Sequence, residues 1–335
     1  MTREPDPIPH WPGELVRIGT GHSVYVRSVP DARGEPGQKE PARKEPARKE
    51  PALCVHGLAG SSRNWTDLMD LLRPALAAEA LDLPGFGDSP PRPDGRYSIA
   101  ALAQTVAAVI ETQKRGPVHL IANSLGGAVS VKLAATRPDL VRTLTLISPA
   151  LPDSRPRLDL IRFPVMSLPR VGTRLLRKYD ALPPENRVAD VITTCFSDPA
   201  LFPPERFAAE VTELARRDTL TYATAALVGS IRTLTAEFFR AGRHTAWRDA
   251  ARVSVPALVI YGSHDRLVDP RMAGRAAHAF AGARIVVLPR TGHLAHMEQP
   301  AQVAAEIGVL LEGIPAGAGR LTVERAGTQA PVSVR

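Results

Sequence analysis

The chain has 335 residues, 44% of them hydrophobic, which suits one large domain or a domain with a sizeable insertion. The net charge of +8 is carried by arginines and lysines scattered among acids, so we expect no nucleic-acid partner. The sequence has neither an eighteen-residue apolar run nor a hydrophobic signal core, so we expect a cytoplasmic protein without a membrane span. The positive charge supports at most a weak association with an anionic membrane surface. Two cysteines, Cys54 and Cys195, indicate neither a disulfide framework nor a zinc site.

The first fifty residues combine a hairpin with two segments that cannot build a core. Residues 1–12 are predicted to be a disordered tail, and "ELVRIGTG" and "HSVYVRSV" to be the two strands of a hairpin. Residues 31–51 are predicted to be a low-complexity loop containing the repeat "KEPARKEPARKEPA", in which proline at every fifth position blocks a continuous helix. We favour an expanded loop between two strands over a docking segment, and the role of the repeat stays open.

Strands and helices alternate regularly through the first part of the core, which we place at residues 13–151. The strands after the hairpin are "ALCVHG", "ALAAEAL", "VHLIAN" and "VRTLTLISPA", and the helices are "SRNWTDLMDLL", "SIAALAQTVAAVIETQ" and "LGGAVSVKLAATRPD". This alternation predicts a parallel sheet with helices on both faces.

The alternation stops near residue 152 and resumes near residue 251. Residues 152–250 carry helical patterns and prolines but no good strand, so we expect a helical lid inserted into the core. Residues 251–314 complete the core with the strands "VPALVIYG" and "ARIVVLP" and two helices. Residues 315–335 are rich in Gly, Ala and Pro and are predicted to be a second disordered tail.

Three polar residues follow predicted parallel strands, where ligands of open α/β sheets bind. Ser124 follows "VHLIAN", Asp265 follows "ALVIYG" and His293 follows "RIVVLP". A serine hydroxyl becomes a nucleophile when a histidine removes its proton and a carboxylate orients that histidine. These residues are therefore the candidates for a catalytic triad.

The chain resembles the α/β-hydrolase superfamily. The resemblance rests on "VHGLAGS", "DLPGFGDS", "ANSLGG", "YGSHDRLVDP" and "TGHLAHMEQP", which occur in the order and spacing of that family, and it covers residues 13–313. It implies an α/β-hydrolase fold with a mostly parallel eight-stranded sheet, helices on both faces and a helical lid. It also implies Ser124 as nucleophile, Asp265 as acid and His293 as base, with the backbone N–H groups of Leu58 and Leu125 as the oxyanion hole.

The turn at Ser124 departs from the family's G-x-S-x-G pattern, because Ala122 replaces the first glycine. Strand, turn and helix pass close together at such an elbow, so the positions two before and two after the nucleophile must be small. Gly126 meets this requirement, and we expect the turn to accommodate the single methyl group of Ala122. Ser124 is expected to adopt a strained backbone conformation.

Neighbouring residues compete for two of the three roles. The family pattern places the acid three residues after the strand-ending glycine, which favours Asp265 over Asp269, whose position before a proline suits a helix N-cap. His293 matches the family's Gly-His loop, and His296 is interpreted as a structural residue beneath it. His56 is interpreted as a hydrogen-bonded core residue.

We expect cleavage of a small-molecule carboxylic ester with an apolar acyl or alcohol part, through an acyl-enzyme and without a metal or organic cofactor. A carbon–carbon bond hydrolase of ring-fission products is one alternative, because "ANSLGG" resembles the corresponding block of those enzymes, but Leu294 stands where they have tryptophan. A cofactor-free haloperoxidase or perhydrolase-like enzyme is another, and a non-catalytic receptor is the alternative of a different class. The natural substrate, its chain length and the oligomeric state stay open.

Overall fold

A mostly parallel sheet of nine strands lies at the centre of the described molecule. The computed structural model describes residues 8–19, 21–30, 49–153, 162–168, 170–239, 245–312 and 323–325. The strands are β1 Gly13–Arg17, β2 Ser23–Ser28, β3 Glu50–Val55, β4 Leu76–Leu81, β5 Val118–Asn123, β6 Val141–Ile147, β7 Ala257–Gly262, β8 Arg284–Leu288 and β9 Val323–Arg325. The first eight are the predicted strands, and β9 is additional.

The strand order is β1-β2-β4-β3-β5-β6-β7-β8-β9. The pairs β1–β2 and β2–β4 are antiparallel, and every other neighbouring pair is parallel. Helices on both faces bury a parallel sheet, and accordingly β4, β5 and β7 are buried at every position. This confirms the predicted α/β-hydrolase fold.

The helices divide between the two faces of the sheet and an insertion. Helices α2, α3, α9 and α10 contribute to the larger apolar core, and α1, α11 and α12 to the core on the other face. Helices α4 to α9 lie in the chain between β6 and β7. The helices are α1 Thr66–Leu72, α2 Ile99–Gln113, α3 Ser124–Thr136, α4 Arg162–Ser167, α5 Val171–Asp180, α6 Pro184–Cys195, α7 Pro204–Asp218, α8 Ala223–Phe239, α9 Ala246–Ala250, α10 Met272–Ala279, α11 Ala295–Glu298 and α12 Pro300–Glu312.

The helix α2 shows why the alternating pattern produces this packing. Its predicted apolar stripe recurs at the spacing of one helix face and is buried in the larger apolar core, whereas Ala100 is exposed. Ser98 begins the helix, because its hydroxyl accepts from the Ala101 N–H at 3.2 Å. The buried stripe consists of Ile99, Leu102, Val106, Val109 and Ile110.

The described residues of the insertion form helices joined by loops, without a strand, and its helix α7 is joined to the core by ion pairs. The partners in the core lie in the loops after β3 and β4 and in α1, on the side of the sheet where Ser124 is found. The ion pairs join Arg206 to Asp67 at 2.8 Å, Glu213 to Arg63 at 3.2 Å and Arg216 to Asp88 at 2.9 Å.

The structure differs from the predicted boundaries in three places. Residues 8–12 of the expected N-terminal tail contact the core, because the Trp11 indole packs there and donates to Thr66 O at 3.0 Å. Strand β3 begins at Glu50, so the predicted loop 31–51 ends earlier than expected. Strand β9 falls inside the expected C-terminal tail. The remaining residues of these three segments lie outside the described residues.

Membrane-spanning helices were also sought in the part of the chain that the structure describes. None of those helices combines the length and the apolar character that crossing a bilayer requires.

The buried stripe of α2 predicts a large and local stability effect. Leu102 is 0% exposed, so Leu102→Ala is expected to lower the free energy of unfolding by about 2–5 kcal/mol, because it removes apolar contacts and leaves a cavity. Leu71 of α1 is 45% exposed, so Leu71→Ala is expected to change it by less than about 0.5 kcal/mol. Urea denaturation measures both variants, and equal effects would contradict this packing.

Candidate active site

Ser124 stands at a sharp turn between β5 and α3. Its φ is +51°, in the left-handed region that serine rarely adopts, as expected for an elbow. A Cβ on Gly126 would lie 2.4 Å from Val55 O and 2.5 Å from His56 O, so this position admits only glycine. Ala122 is fully buried within β5, and the turn therefore tolerates its methyl group.

Asp265 and His293 meet at the ends of the neighbouring strands β7 and β8. His293 Nδ1 lies 2.9 Å from Asp265 Oδ2. The other carboxylate oxygen, Oδ1, accepts from the backbone N–H groups of Leu267 at 2.8 Å and Val268 at 2.9 Å. The carboxylate is thus held from both sides in the orientation that binds the imidazole.

The surroundings of Asp265 keep its side chain ionised. Burial raises the pKa of the carboxyl, but the His293 imidazole, the Val268 N–H and the Ser148 hydroxyl together hold the pKa below its ordinary value. An ionised carboxylate only accepts hydrogen bonds, so His293 Nδ1 carries the proton that it donates. The second ring nitrogen, Nε2, is therefore the one that can accept a proton from a nucleophile.

The competing carboxylate has a structural role, but it is not the predicted helix N-cap. Asp269 Oδ1 accepts from the Arg271 N–H at 2.9 Å, and its other oxygen pairs with the Arg271 side chain at 2.7 Å. The turn that it stabilises precedes α10, which begins at Met272, two residues later than an Asp269 cap would give.

The competing histidine is also accounted for by its packing. His296 is 1% exposed and stacks on Trp65 with ring centroids 4.1 Å apart. Burial lowers the pKa of His296 to about 3, with a smaller contribution from His293. This neutral, buried ring fits the interpretation of a structural residue beneath the loop.

Asn123 connects the serine turn to the histidine loop. Its Nδ2 donates to His293 O at 3.2 Å and to Ile147 O at 3.0 Å. The hydrogen bonds of the described residues do not include one between the Ser124 hydroxyl and the His293 ring. Such bonds are often long before a substrate binds, and the Asn123 side chain keeps the serine turn within one hydrogen bond of the His293 backbone.

Two backbone N–H groups flank the serine turn without a partner among the described residues. The Leu125 N–H lies in the first turn of α3, where helix geometry provides no acceptor. The Leu58 N–H lies in the loop that follows β3, and a Cβ on the preceding Gly57 would lie 3.0 Å from the Ser124 Cβ. This close approach brings the loop that carries Leu58 next to the serine turn, and the role of both N–H groups as an oxyanion hole stays a prediction.

His56 fixes the orientation of the peptide that carries the Leu58 N–H. Its Nε2 accepts from the Leu83 N–H at 2.8 Å, so the proton is on Nδ1, which donates to Gly57 O at 2.7 Å. The Gly57 carbonyl and the Leu58 N–H belong to one planar trans peptide and point in opposite directions. The core role that the sequence suggests for His56 therefore includes aiming the Leu58 N–H away from the imidazole.

The insertion covers the acid and base loops with apolar side chains. Leu267 and Leu294, which lie beside Asp265 and His293 in the chain, pack on an apolar cluster of α6 and the residue that follows it. Ser124 is only 9% exposed, so the site is closed in this conformation. The cluster consists of Val188, Ile192, Cys195 and Phe196.

A model of the family described as "Alpha/beta hydrolase family" matches residues 52–306 of this chain. The chain belongs to this family. The resemblance stated from the five sequence blocks is thereby confirmed, and the structure of this α/β hydrolase supplies the corresponding strand order.

Curated relatives of this α/β hydrolase include proteins of different activity. The chain is 30% identical over 257 residues to the dihydrolipoyllysine-residue acetyltransferase component of the acetoin cleaving system of Pseudomonas putida, covering 74% of this chain but only 60% of that protein. It is 28% identical over 266 residues to the pimeloyl-[acyl-carrier protein] methyl ester esterase of Neisseria meningitidis, covering 78% of this chain and 93% of the esterase.

A solved structure of similar shape is the meta-cleavage product hydrolase of Pseudomonas fluorescens IP01. It superposes with a TM-score of 0.67 and covers 90% of this α/β hydrolase and 97% of its own chain. The sequence identity is 15%, so this likeness concerns the fold alone.

Sequence reasoning missed two polar residues that the structure of this α/β hydrolase places at the site. Asn123 joins the serine turn to the histidine loop, and Glu298 accepts from the Gly292 N–H at 2.6 Å, immediately before His293. Asn123 lies in the block "ANSLGG" and Glu298 in the block "TGHLAHMEQP", so the sequence indicates that both lie near the site. Their hydrogen-bond partners come from other parts of the chain, and the sequence does not indicate them.

The burial of His56 predicts a contribution to acid lability. Burial lowers the pKa of His56 to about 4, whereas the ordinary value is 6.5, so the folded protein keeps this ring neutral while the unfolded chain protonates it. The contribution of the neutral His56 ring to the free energy of unfolding is fully present above pH 6.5 and is lost as the pH falls from 6.5 to about 4.

We therefore expect the free energy of unfolding of His56→Asn to depend less on pH in this window. The difference in slope from the wild type should approach one proton, about 1.4 kcal/mol per pH unit. Denaturant titrations at several pH values measure it. The half-buried His10 and the buried His296 titrate in both proteins and cancel from the comparison, so parallel curves would contradict a neutral His56.

Proposed function

We propose that this α/β hydrolase is a serine hydrolase that cleaves a carboxylic ester with an apolar acyl or alcohol part through an acyl-enzyme on Ser124. The observation that carries the proposal is the hydrogen-bonded Asp265–His293 pair beside the Ser124 turn, to which Asn123 attaches the histidine loop. This pair supports His293 as the base and Asp265 as the acid that orients it, which are the two groups that general-base activation of a serine uses.

In the first step the Ser124 hydroxyl attacks the ester carbonyl carbon while His293 Nε2 takes its proton. The Leu58 and Leu125 N–H groups donate to the oxyanion that forms, and Asp265 stabilises the imidazolium. Collapse of the tetrahedral intermediate breaks the bond to the alcohol, which leaves with the proton from His293. The acyl group is then bound to Ser124.

In the second step a water molecule attacks the acyl-enzyme. His293 takes a proton from the water, the same two N–H groups bind the second oxyanion, and Ser124 leaves with the proton from His293. Ester and water are consumed, and acid and alcohol are released, so the reaction balances without another reactant.

The choice of an ester with an apolar part has two supports. Phe196 of the insertion packs with Leu267 and Leu294 of the loops that follow β7 and β8, and these side chains favour contact with hydrocarbon over charge. The esterase of Neisseria meningitidis, which acts on a methyl ester according to its name, is similar over 93% of its length. The acetyltransferase component is matched over only 60% of its length, so its activity is not carried over.

A fluorophosphonate probe tests whether Ser124 is activated. We expect rapid covalent labelling of the wild type and none of Ser124→Ala, because only a serine deprotonated by its base attacks the phosphorus. Ester turnover should fall by about four orders of magnitude or more in the variant. The matched control is Ser130→Ala, a buried serine of the same helix that should label like the wild type. Equal labelling of wild type and Ser124→Ala would remove the assignment of Ser124.

A substrate panel tests the bond that is cleaved. We expect p-nitrophenyl esters to be hydrolysed with kcat/KM rising with acyl-chain length until the pocket is filled, because each buried methylene contributes about 0.8 kcal/mol. A vinylogous diketone acid, the substrate type of carbon–carbon hydrolases, is measured in parallel by absorbance. Faster turnover of the diketone acid would reverse the ranking of the two chemistries.

A further inference from the structure

The Glu298 side chain joins two parts of the molecule that are far apart in the chain. Its Oε2 accepts from the Gly292 N–H at 2.6 Å, in the loop that carries His293. Its Oε1 accepts from the Ser197 N–H at 2.9 Å, the Asp198 N–H at 3.3 Å and the Ser197 hydroxyl, all in the insertion. We call these four residues the Glu298 clasp.

The same two segments also meet directly through their backbones. The His293 N–H donates to Cys195 O at 2.6 Å, and the Ser197 hydroxyl lies 2.7 Å from Arg290 O. A Cβ on Gly292 would lie 2.3 Å from Cys195 O, so the two backbones are in contact without intervening side chains. The segment 195–198 of the insertion therefore bears on the loop 290–293 at His293 itself.

We propose that Glu298 is a positioning residue for His293, which keeps the imidazole in its productive place by joining the histidine loop to segment 195–198 of the insertion. This inference rests on the proposed function, since it concerns the base of that reaction. When segment 195–198 of the insertion moves away from the histidine loop, that loop loses the contacts that hold it in place. The contact of segment 195–198 with the histidine loop and the productive position of the His293 imidazole therefore depend on each other.

A carboxylate suits this role better than any other side chain of its size. Glu298 is 8% exposed, and its two oxygens face N–H and O–H donors on opposite sides. An ionised carboxylate accepts on both oxygens, and such charge-assisted bonds are about twice as strong as neutral ones. A glutamine has one oxygen and one NH2 group, so whichever way it turns, a donor faces a donor.

The position of the clasp distinguishes it from an ordinary structural ion pair. Ser197 and Glu298 are 101 positions apart, and one of the bonds ends on the residue directly before His293. The Glu306–Arg284 pair, at 2.9 Å, also joins a core helix to a strand end but touches neither the insertion nor the histidine loop. It provides a matched comparison.

The test compares Glu298→Gln with Glu306→Gln in the full chain. For Glu298→Gln we expect the fluorophosphonate labelling rate per folded molecule and kcat to fall by roughly tenfold or more, with a smaller change in KM, because misplacement of a catalytic group acts on the chemical step. Glu306→Gln should label and turn over like the wild type. Circular dichroism gives the folded fraction.

Hydrogen exchange supplies a readout that does not depend on the reaction. In Glu298→Gln we expect amides of segments 195–198 and 290–293 to exchange faster together, while those of β5 keep their protection. A loss confined to one segment would overturn the coupling. Wild-type labelling and kcat in a folded Glu298→Gln protein would overturn the positioning role.

One further variant and one further outcome keep the result interpretable. If Glu298→Gln does not fold, Ser197→Ala removes one donor of the clasp and is expected to slow labelling in the same direction by a smaller factor. Wild-type labelling of Ser197→Ala would then count against the proposal. If wild-type protein labels but not at Ser124, the serine mechanism fails on its own, and the exchange experiment still decides whether the clasp joins the two segments.

Discussion

The end of β3, the loop that follows it and the start of α3 approach one another so closely at the serine turn that several positions accept only small residues. The carbonyls of Val55 and His56 occupy the space where a side chain at position 126 would begin, and position 57 faces the Ser124 Cβ in the same way. The contact forces Ser124 to a φ of +51°. The arrangement presents the hydroxyl and the Leu125 N–H at the rim of the sheet. The strain at this one residue turns the chain sharply at the end of a buried strand, as the nucleophile role proposed for Ser124 requires.

The acid and the base reach this turn because of strand order. Strands β7 and β8 are neighbours, and their ends are packed together so tightly that a Cβ on Gly262 would lie 2.2 Å from Gly292 O. Asp265 and His293 follow these strand ends and bond across them. Asn123 then closes the distance to β5 by donating to His293 O and to Ile147 O of the intervening strand. Residues distant in sequence become neighbours through ordinary parallel pairing.

Sequence patterns predict well what depends on a single segment. The apolar stripe of α2, the eight strands and the small residues around Ser124 are local features, and the structure contains all of them. Contacts between segments escape such reasoning. No pattern near Glu298 in the sequence predicts its hydrogen bond with Ser197. No pattern in the proline-rich N-terminal segment predicts the hydrogen bond from Trp11 to Thr66 O. Polar residues inside recognised blocks acquire their roles only when the loops they bridge are known.

The pairing of β6 with β7 unites the two halves of the core across the whole insertion. The entropy lost when a flexible chain is closed into a loop grows only logarithmically with its length, by about 0.6 kcal/mol for each doubling. Once β6 and β7 pair, the chain between them can lengthen, shorten or be rebuilt with little penalty to the sheet. If the proposed function holds, exchanging the helices of the insertion changes which substrates reach Ser124, while the strand ends that carry Asp265 and His293 keep their positions.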